Sequence, residues 1–250
     1  KLINGRYEMD FEQLESIIDE KCKLLILSNP HNPGGMVWSK ETLTKLADIC
    51  AKHHILVISD EIHADMTLYG NKHIPFATVS DNAAQNSITF MAPSKTFNIA
   101  GLGASIAIIP NPELRAWFVN TRTGIVPSVD ILAYTAAIAA YRDGQEWLDE
   151  LLDYLRGNHD LVLERITRLP GLTMVPLEAT YLARIAAPGL GTAAPPALFE
   201  QAGVDLSAGR AFGATPFVRL SFGCRWALLP EALHRRESGG NSVRAVSGKE

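Results

Sequence analysis

Three short segments carry side chains suited to covalent and acid–base chemistry, and each directly follows a compact apolar run. Ser28-Asn29-Pro30-His31-Asn32-Pro33-Gly34-Gly35 follows Leu24–Leu27, Asp60-Glu61-Ile62-His63-Ala64-Asp65 follows Ile55–Ser59, and Pro93-Ser94-Lys95-Thr96-Phe97-Asn98 follows Ser87–Met91. Taken singly, these are a tight turn, a helix cap and a surface lysine. Taken together, they place an amide, a carboxylate and an amine at the ends of successive strands. An amine can bond an aldehyde, a carboxylate can face a protonated ring nitrogen, and an amide can hydrogen-bond a ring hydroxyl. Pyridoxal 5′-phosphate (PLP) is the cofactor that asks for all three. In open α/β sheets, ligands bind beyond the carboxyl ends of the strands.

The elements that must position these loops follow from the pattern. The chain has 250 residues, 47% hydrophobic and 20% charged, with a net charge of −4. That suits a globular chain with a sizeable core and gives no basic field for nucleic acid or anionic membrane. No apolar run reaches membrane-spanning length, and no export leader is visible. Cys22, Cys50 and Cys224 form no CxxC, and His53, His54 and His73 show no metal spacing. A disulfide framework and a metal site are therefore not expected, and the cytoplasm is the expected compartment.

Lys1 to Ser16 read as a hairpin-like lead into a helix from Phe11 to about Cys22, capped by Asp10, with Leu14, Ile17 and Ile18 on one face. Leu24–Ser28 and Ile55–Ser59 read as buried strands, and Ser87–Met91 and Ala104–Ile109 as two more. Between the first two, Ser39 caps a helix to about His53, with Leu43, Leu46, Ala47 and Cys50 as its buried stripe. Helices are then expected over Pro112–Asn120, Val129–Tyr141 and Gln145–Leu169, the last with a break at Gly157. Leu172–Val175, Tyr181–Ile185 and Phe217–Phe222 read as short strands around a helix, Pro196–Ala202. The alternation argues for an α/β fold with a mostly parallel sheet, helices on both faces, and a smaller α+β domain at the C-terminal end. The domains divide as 1–135 and 136–234, with 235–250 a polar, disordered tail. Eight of nine lysines lie at or before Lys95, whereas only Arg6 of fourteen arginines precedes Arg115. Chance or a join of two sources would both produce that shift.

The strings SNPHNPGGMVWS, SDEIHADM and APSKTFNIAGLG resemble the fold-type I aminotransferase superfamily. Within it they are similar to the cystathionine β-lyase branch of the MalY/PatB type, from about Asp10 to Leu233. The resemblance implies the PLP-dependent transferase fold, and a homodimer. It implies Lys95 as the Schiff-base lysine and general base, Asp60 at the pyridine nitrogen, and Asn32 at the ring hydroxyl. His63 stands where many relatives place a tyrosine of that same role. Arg219, in FVRLSFGC, matches the arginine that grips the substrate α-carboxylate, a task that suits a guanidinium fork. Tyr181 either lines the substrate pocket or packs in the core.

Departures from the pattern refine this. Gly103 occupies the place, eight residues after the lysine, where ordinary aminotransferases carry a phosphate-binding arginine, which favours the lyase. Ala92 replaces a common serine and leaves Ser94 as the local hydroxyl for the phosphate. Arg184 stands where the branch commonly has an aromatic residue. By the family pattern, about the first third, with its phosphate loop and stacking aromatic, is absent. The expected activity is C–S β-elimination from cystathionine-like amino acids or cysteine S-conjugates, giving pyruvate, ammonia and a thiol. An aminotransferase and an inactive fragment, fusion or regulatory binding protein are the alternatives.

Overall fold

The structure is a computed structural model and describes residues 1–192 and 195–235. It divides into two compact units. The first comprises Lys1–Asn32 and Met36–Leu151, and the second Pro33–Gly35 and the chain from Leu152 onward.

The first unit opens with a hairpin, β1 (Leu2–Ile3) and β2 (Arg6–Tyr7), paired antiparallel. Its turn residues Asn4 and Gly5 take φ of 49° and 78°. Positive φ at both central positions is what Asn-Gly supplies to a two-residue hairpin. Helix α1 (Phe11–Ile17) starts where Asp10 accepts a hydrogen bond from the Gln13 N–H. It is shorter than the expected Phe11–Cys22. The Asp19 carboxylate accepts from the Lys21 and Cys22 amides, so the chain turns there rather than continuing the helix. Ile17, expected on a buried face, is exposed.

The main sheet holds β3 (Leu24–Ser28), β4 (Leu56–Asp60), β5 (Ser87–Met91) and β6 (Ile106–Ile108), in that order. The first three are parallel, and β6 runs antiparallel to β5. Helix α2 (Lys40–Lys52) links β3 to β4. Ser39 caps it by accepting from the Thr42 N–H, and the anticipated stripe of Leu43, Leu46, Ala47 and Cys50 is buried. That stripe packs with Leu27, Trp38, Val57 and Phe76. A five-residue helix, α3 (Asp81–Gln85), precedes β5.

The expectation that β3 is buried fails on one face. Leu25 and Leu27 point toward α2, but Leu24 and Ile26 are 50% and 72% exposed. Successive side chains of a strand face opposite sides, and at β3 only one side is covered among the described residues. The far face is covered further along, where Phe118 of α4 (Pro112–Arg122) meets Phe90 with ring centroids 6.0 Å apart.

Helix α5 (Ile131–Asp143) follows, then α6 (Gln145–Thr167), in which the units divide. The helix runs unbroken through Gly157, where the break was anticipated. The next residue, Asn158, is buried and donates to the carbonyls of Phe222 and Cys224.

The second unit carries an antiparallel sheet of order β7 (Thr173–Met174), β8 (Leu182–Ala186), β10 (Phe217–Ser221), β9 (Ser207–Ala208). The two-residue β9 was not anticipated. Helix α7 (Pro195–Gln201) lies between β8 and β9, and a helix α8 spans 228–235. Arg235, assigned to the tail, belongs to that helix and pairs with Glu231 at 2.5 Å. The remainder of the expected tail lies outside the described residues. Cys224, expected as a buried hydrophobe, is half-buried, and burial pushes its thiol upward.

In this unit burial lowers the pKa of His159 against a weaker opposing effect of Asp160. Its Nε2 accepts from the Leu177 N–H at 3.1 Å. Leu177 in turn packs against Gly35. That residue has φ of 70°, its carbonyl accepts from the Glu178 and Ala179 amides, and a Cβ on it would collide with the Leu177 side chain. The second glycine of NPHNPGG is therefore required both by its backbone and by the lack of space. Among the described residues, no helix is long and apolar enough to cross a membrane and no cluster could hold a metal ion.

Candidate active site

The parallel register fixes where the three loops emerge. Ser28 is level with Asp60, and Asp60 with Phe90. The loops after β3, β4 and β5 thus leave from one edge of one sheet, the carboxyl edge that binds ligands in such folds.

The first loop is built by short-range bonds. The Ser28 hydroxyl donates to the Pro30 carbonyl and accepts from the Asn32 N–H, at 3.0 and 3.1 Å. The Trp38 indole donates to the Ser28 carbonyl, and the His31 N–H reaches the Met36 carbonyl to close the turn. Asn32 is held half-buried at the edge.

The second loop begins with Asp60, whose exposed carboxylate accepts from the Ile62 N–H at 3.3 Å. Alternation along β4 sends Ser59 into the interior and Asp60 the other way. Glu61 follows, with its carboxylate fully buried. One oxygen accepts from the Ser59 hydroxyl and the Phe76 N–H, both at 2.8 Å, and from the Asn29 amide at 3.5 Å. The other lies 2.7 Å from His73 Nε2. Asn29 also donates to the Ile74 carbonyl, and its own N–H bonds the Asp60 carbonyl. This knot fixes the ends of β3 and β4 together. His63 is buried one turn on, where its carbonyl accepts from the Met66 N–H.

In the third loop, Phe97 N–H bonds the Pro93 carbonyl and Ile99 N–H the Ser94 carbonyl. Asn98 takes φ of 54°, which asparagine tolerates. Lys95 is exposed between half-buried Ser94 and buried Thr96. The Thr96 hydroxyl donates to Asp65 at 3.1 Å, which ties the lysine loop to the Asp60 loop. Burial, with the nearby Asp65 carboxylate, holds the Tyr141 phenol above its usual pKa. Phe97 packs against both Tyr141 and Trp147, with ring centroids 5.8 Å apart in each case.

The structure thus places Asn32, Asp60, His63, Ser94 and Lys95 on loops of one sheet edge. Arg219 and Tyr181 lie in the second unit. There, burial lowers the Arg219 guanidinium while Tyr181 opposes the shift, and burial raises the Tyr181 phenol while Arg219 opposes it. These two are close enough to influence one another. Glu61, Asp65 and Thr96 were not singled out from the sequence. Each works through a contact distant in the chain, and neither spacing nor periodicity announces it. The exposed amine of Lys95 and the exposed carboxylate of Asp60 at this edge fit the aldehyde and the ring nitrogen of PLP.

Comparison with known proteins agrees with this chemistry. The profile of the family described as "Aminotransferase class I and II" matches residues 3–235. The cystathionine beta-lyase PatB of Bacillus subtilis (strain 168) is 43% identical over 241 residues, covering 93% of this chain and 62% of its own. The crystal structure of OvoB superposes with a TM-score of 0.93 at 53% identity, covering 96% of this chain and 63% of that one. Cystalysin from Treponema denticola, whose structure contains pyridoxal 5′-phosphate, has a TM-score of 0.90 at 32% identity, with 96% and 63% covered. The chain spans less than two thirds of the length of these relatives.

Proposed function

The chain belongs to the class I and II aminotransferase family, and we propose that it carries the chemistry of a cytoplasmic, homodimeric, PLP-dependent C–S β-lyase. The observation that carries the reading is the placing of Lys95 and Asp60 on adjoining parallel-strand ends, joined through Asp65 and Thr96. The similarity to PatB, and Gly103 in place of a phosphate-binding arginine, support the lyase over the aminotransferase. Gly103 has φ of 66°, a conformation that strains an arginine.

When bound, PLP supplies an aldehyde that bonds the substrate amino group and a pyridinium ring that takes up charge from Cα. The Asp60 carboxylate would hold the ring nitrogen and keep its proton. Asn32 and His63 would serve the ring hydroxyl, and the Ser94 hydroxyl the phosphate. Arg219, in the second unit, is the candidate for the substrate α-carboxylate, a group that a planar fork suits. The Lys95 amine would take the substrate α-proton onto Nζ. The thiolate then leaves from Cβ. Water completes the balance, releasing pyruvate and ammonia.

Product analysis on the PLP-supplemented chain tests the reading. Incubation with L-cystathionine or S-ethyl-L-cysteine is expected to release pyruvate and thiol with no keto-acid acceptor present. Amino transfer that requires a keto acid and releases no thiol would make the protein an aminotransferase. Absence of both reactions would remove the enzymatic claim for this chain.

The dimer is supported by an apolar surface on α4, α5 and the segment between them. Trp117, Ile125, Val126, Ile131, Leu132 and Ile138 are all exposed there, and a patch of that kind marks a contact surface. Light scattering at micromolar concentration is expected to give the mass of two chains. A monomer mass that persists across the concentration range would exclude the dimer.

A further inference from the structure

The loop that carries Lys95 is gripped at the two residues that follow it, each by a different part of the first unit. Thr96 is fully buried, and its hydroxyl donates to the Asp65 carboxylate at 3.1 Å, 31 residues away in the chain. Phe97 lies against two rings, edge-on to Tyr141 of α5 and tilted against Trp147 of α6. Gly144, between those helices, makes room for it: a Cβ there would come within 2.7 Å of the Phe97 ring. Tyr141 joins the two grips. Its ring packs on Phe97, and its phenol is raised in pKa by burial and, beyond that, by the Asp65 carboxylate. A neighbouring charge acts in that way only over a short distance. Asp65, Thr96, Phe97 and Tyr141 thus form one cluster beside Lys95.

A lysine amine stands at the end of a flexible four-carbon stem, so its reach is set by where its backbone starts. The loop's own hydrogen bonds run from the Phe97 N–H to the Pro93 carbonyl and from the Ile99 N–H to the Ser94 carbonyl. They shape the turn but do not attach it to the loop after β4. The Thr96 hydroxyl does. An O–H bond to an ionised carboxylate is about twice as strong as one between neutral groups, and the burial of Thr96 shields this one from water.

We propose that Asp65 is a positioning residue for Lys95. Through Thr96 it holds the lysine loop in register with the loop after β4, which carries Asp60, so that the amine and the Asp60 carboxylate are offered to one ligand together. Tyr141 and Trp147 hold the next residue, Phe97, and keep the loop from lifting. The inference rests on the proposed function in the role given to Lys95.

The test follows the amine rather than turnover. PLP is added over a range of concentrations, borohydride fixes the adducts, and the share at each lysine is read from the digested chain by mass spectrometry, well below the melting temperature of each variant. Asp65→Leu removes the acceptor and Thr96→Val the donor. Each is expected to weaken adduct formation at Lys95 roughly tenfold, the worth of one hydrogen bond to a charged group, with adducts at the other lysines unchanged. The double variant should lose no more than either single variant, because both break the same bond. Thr96→Ser keeps the hydroxyl and should restore the affinity, which a role in packing alone would not allow. Acetic anhydride reacts with an exposed amine wherever it points, and should modify Lys95 equally in all of these chains. A folded Asp65→Leu or Thr96→Val chain that takes up PLP at Lys95 as the parent does would overturn the proposal. So would losses that add in the double variant, or acetylation of Lys95 that falls in parallel. If Asp65→Leu fails to fold, Thr96→Val against Thr96→Ser still decides. A parent that forms no adduct at Lys95 would remove the lyase reading and this inference with it. An adduct that the variants leave untouched would remove this inference alone.

Discussion

Replacing Lys95 with alanine is expected to abolish the visible absorption band that the chain develops with added PLP, together with the adduct that borohydride fixes to the peptide containing residue 95. Any C–S cleavage should fall by at least about 10²–10⁴-fold, the usual worth of a positioned proton-transfer group. The expectation comes from placement. Lys95 is exposed on a loop that buried Thr96 ties to Asp65, while its neighbour Ser94 is half-buried. The amine is therefore free to react while its backbone is held. Lys95→Arg separates charge from nucleophilicity. A guanidinium cannot be deprotonated in a protein, so that variant should retain the positive charge yet lack the band and the adduct. An unchanged band in either variant would move the reactive amine elsewhere and take the mechanism with it. A parent without a band would show that the residues present in this chain do not suffice to hold the cofactor.

What could be read from the sequence follows the range of the forces involved. The α2 helix was legible from cap to stripe because Ser39 and the spacing of Leu43, Leu46, Ala47 and Cys50 act within a few turns. The loops bearing Asn32, Asp60 and Lys95 were legible for a related reason, since strand, turn residues and reactive group are contiguous. The apolar run of β3 predicts burial but does not say what lies over each face. Leu27 packs with the α2 stripe, whereas nothing among the described residues covers Ile26. The α1 helix ends before its predicted limit because Asp19 competes for amides that a helix would have used. Arg184 was visible as a departure, but only the register of β8 and β10 sets it opposite Arg219. Glu61 is the extreme case. Only the folded chain gathers Asn29, Ser59, His73 and Phe76 around it.

That cluster carries the largest expected effect on stability. Glu61→Ala removes a carboxylate with no solvent exposure and leaves the Ser59 hydroxyl, the Phe76 N–H and the His73 imidazole without their acceptor. A buried donor deprived of its acceptor costs about 1–3 kcal/mol, and breaking a buried charged contact about 3–5 kcal/mol. The losses are not additive, because the donors share one acceptor and relax together. A net loss of about 3–5 kcal/mol is expected, a large part of the ~5–15 kcal/mol that holds a domain folded. At about 2–4 °C per kcal/mol, the melting temperature should fall by roughly 6–20 °C. Glu61→Gln keeps the volume and an acceptor oxygen but exchanges the other oxygen for an NH₂ facing His73, so it should fall between parent and alanine. Melting followed by circular dichroism decides, and an alanine variant within about 1 kcal/mol of the parent would show that the cluster is not what secures the strand ends. The consequence reaches the site because the Asn29 N–H bonds the Asp60 carbonyl while the Asn29 side chain bonds Glu61. Asp60 can present an exposed carboxylate in a fixed direction because the residue on either side of it, Ser59 and Glu61, is locked into the interior.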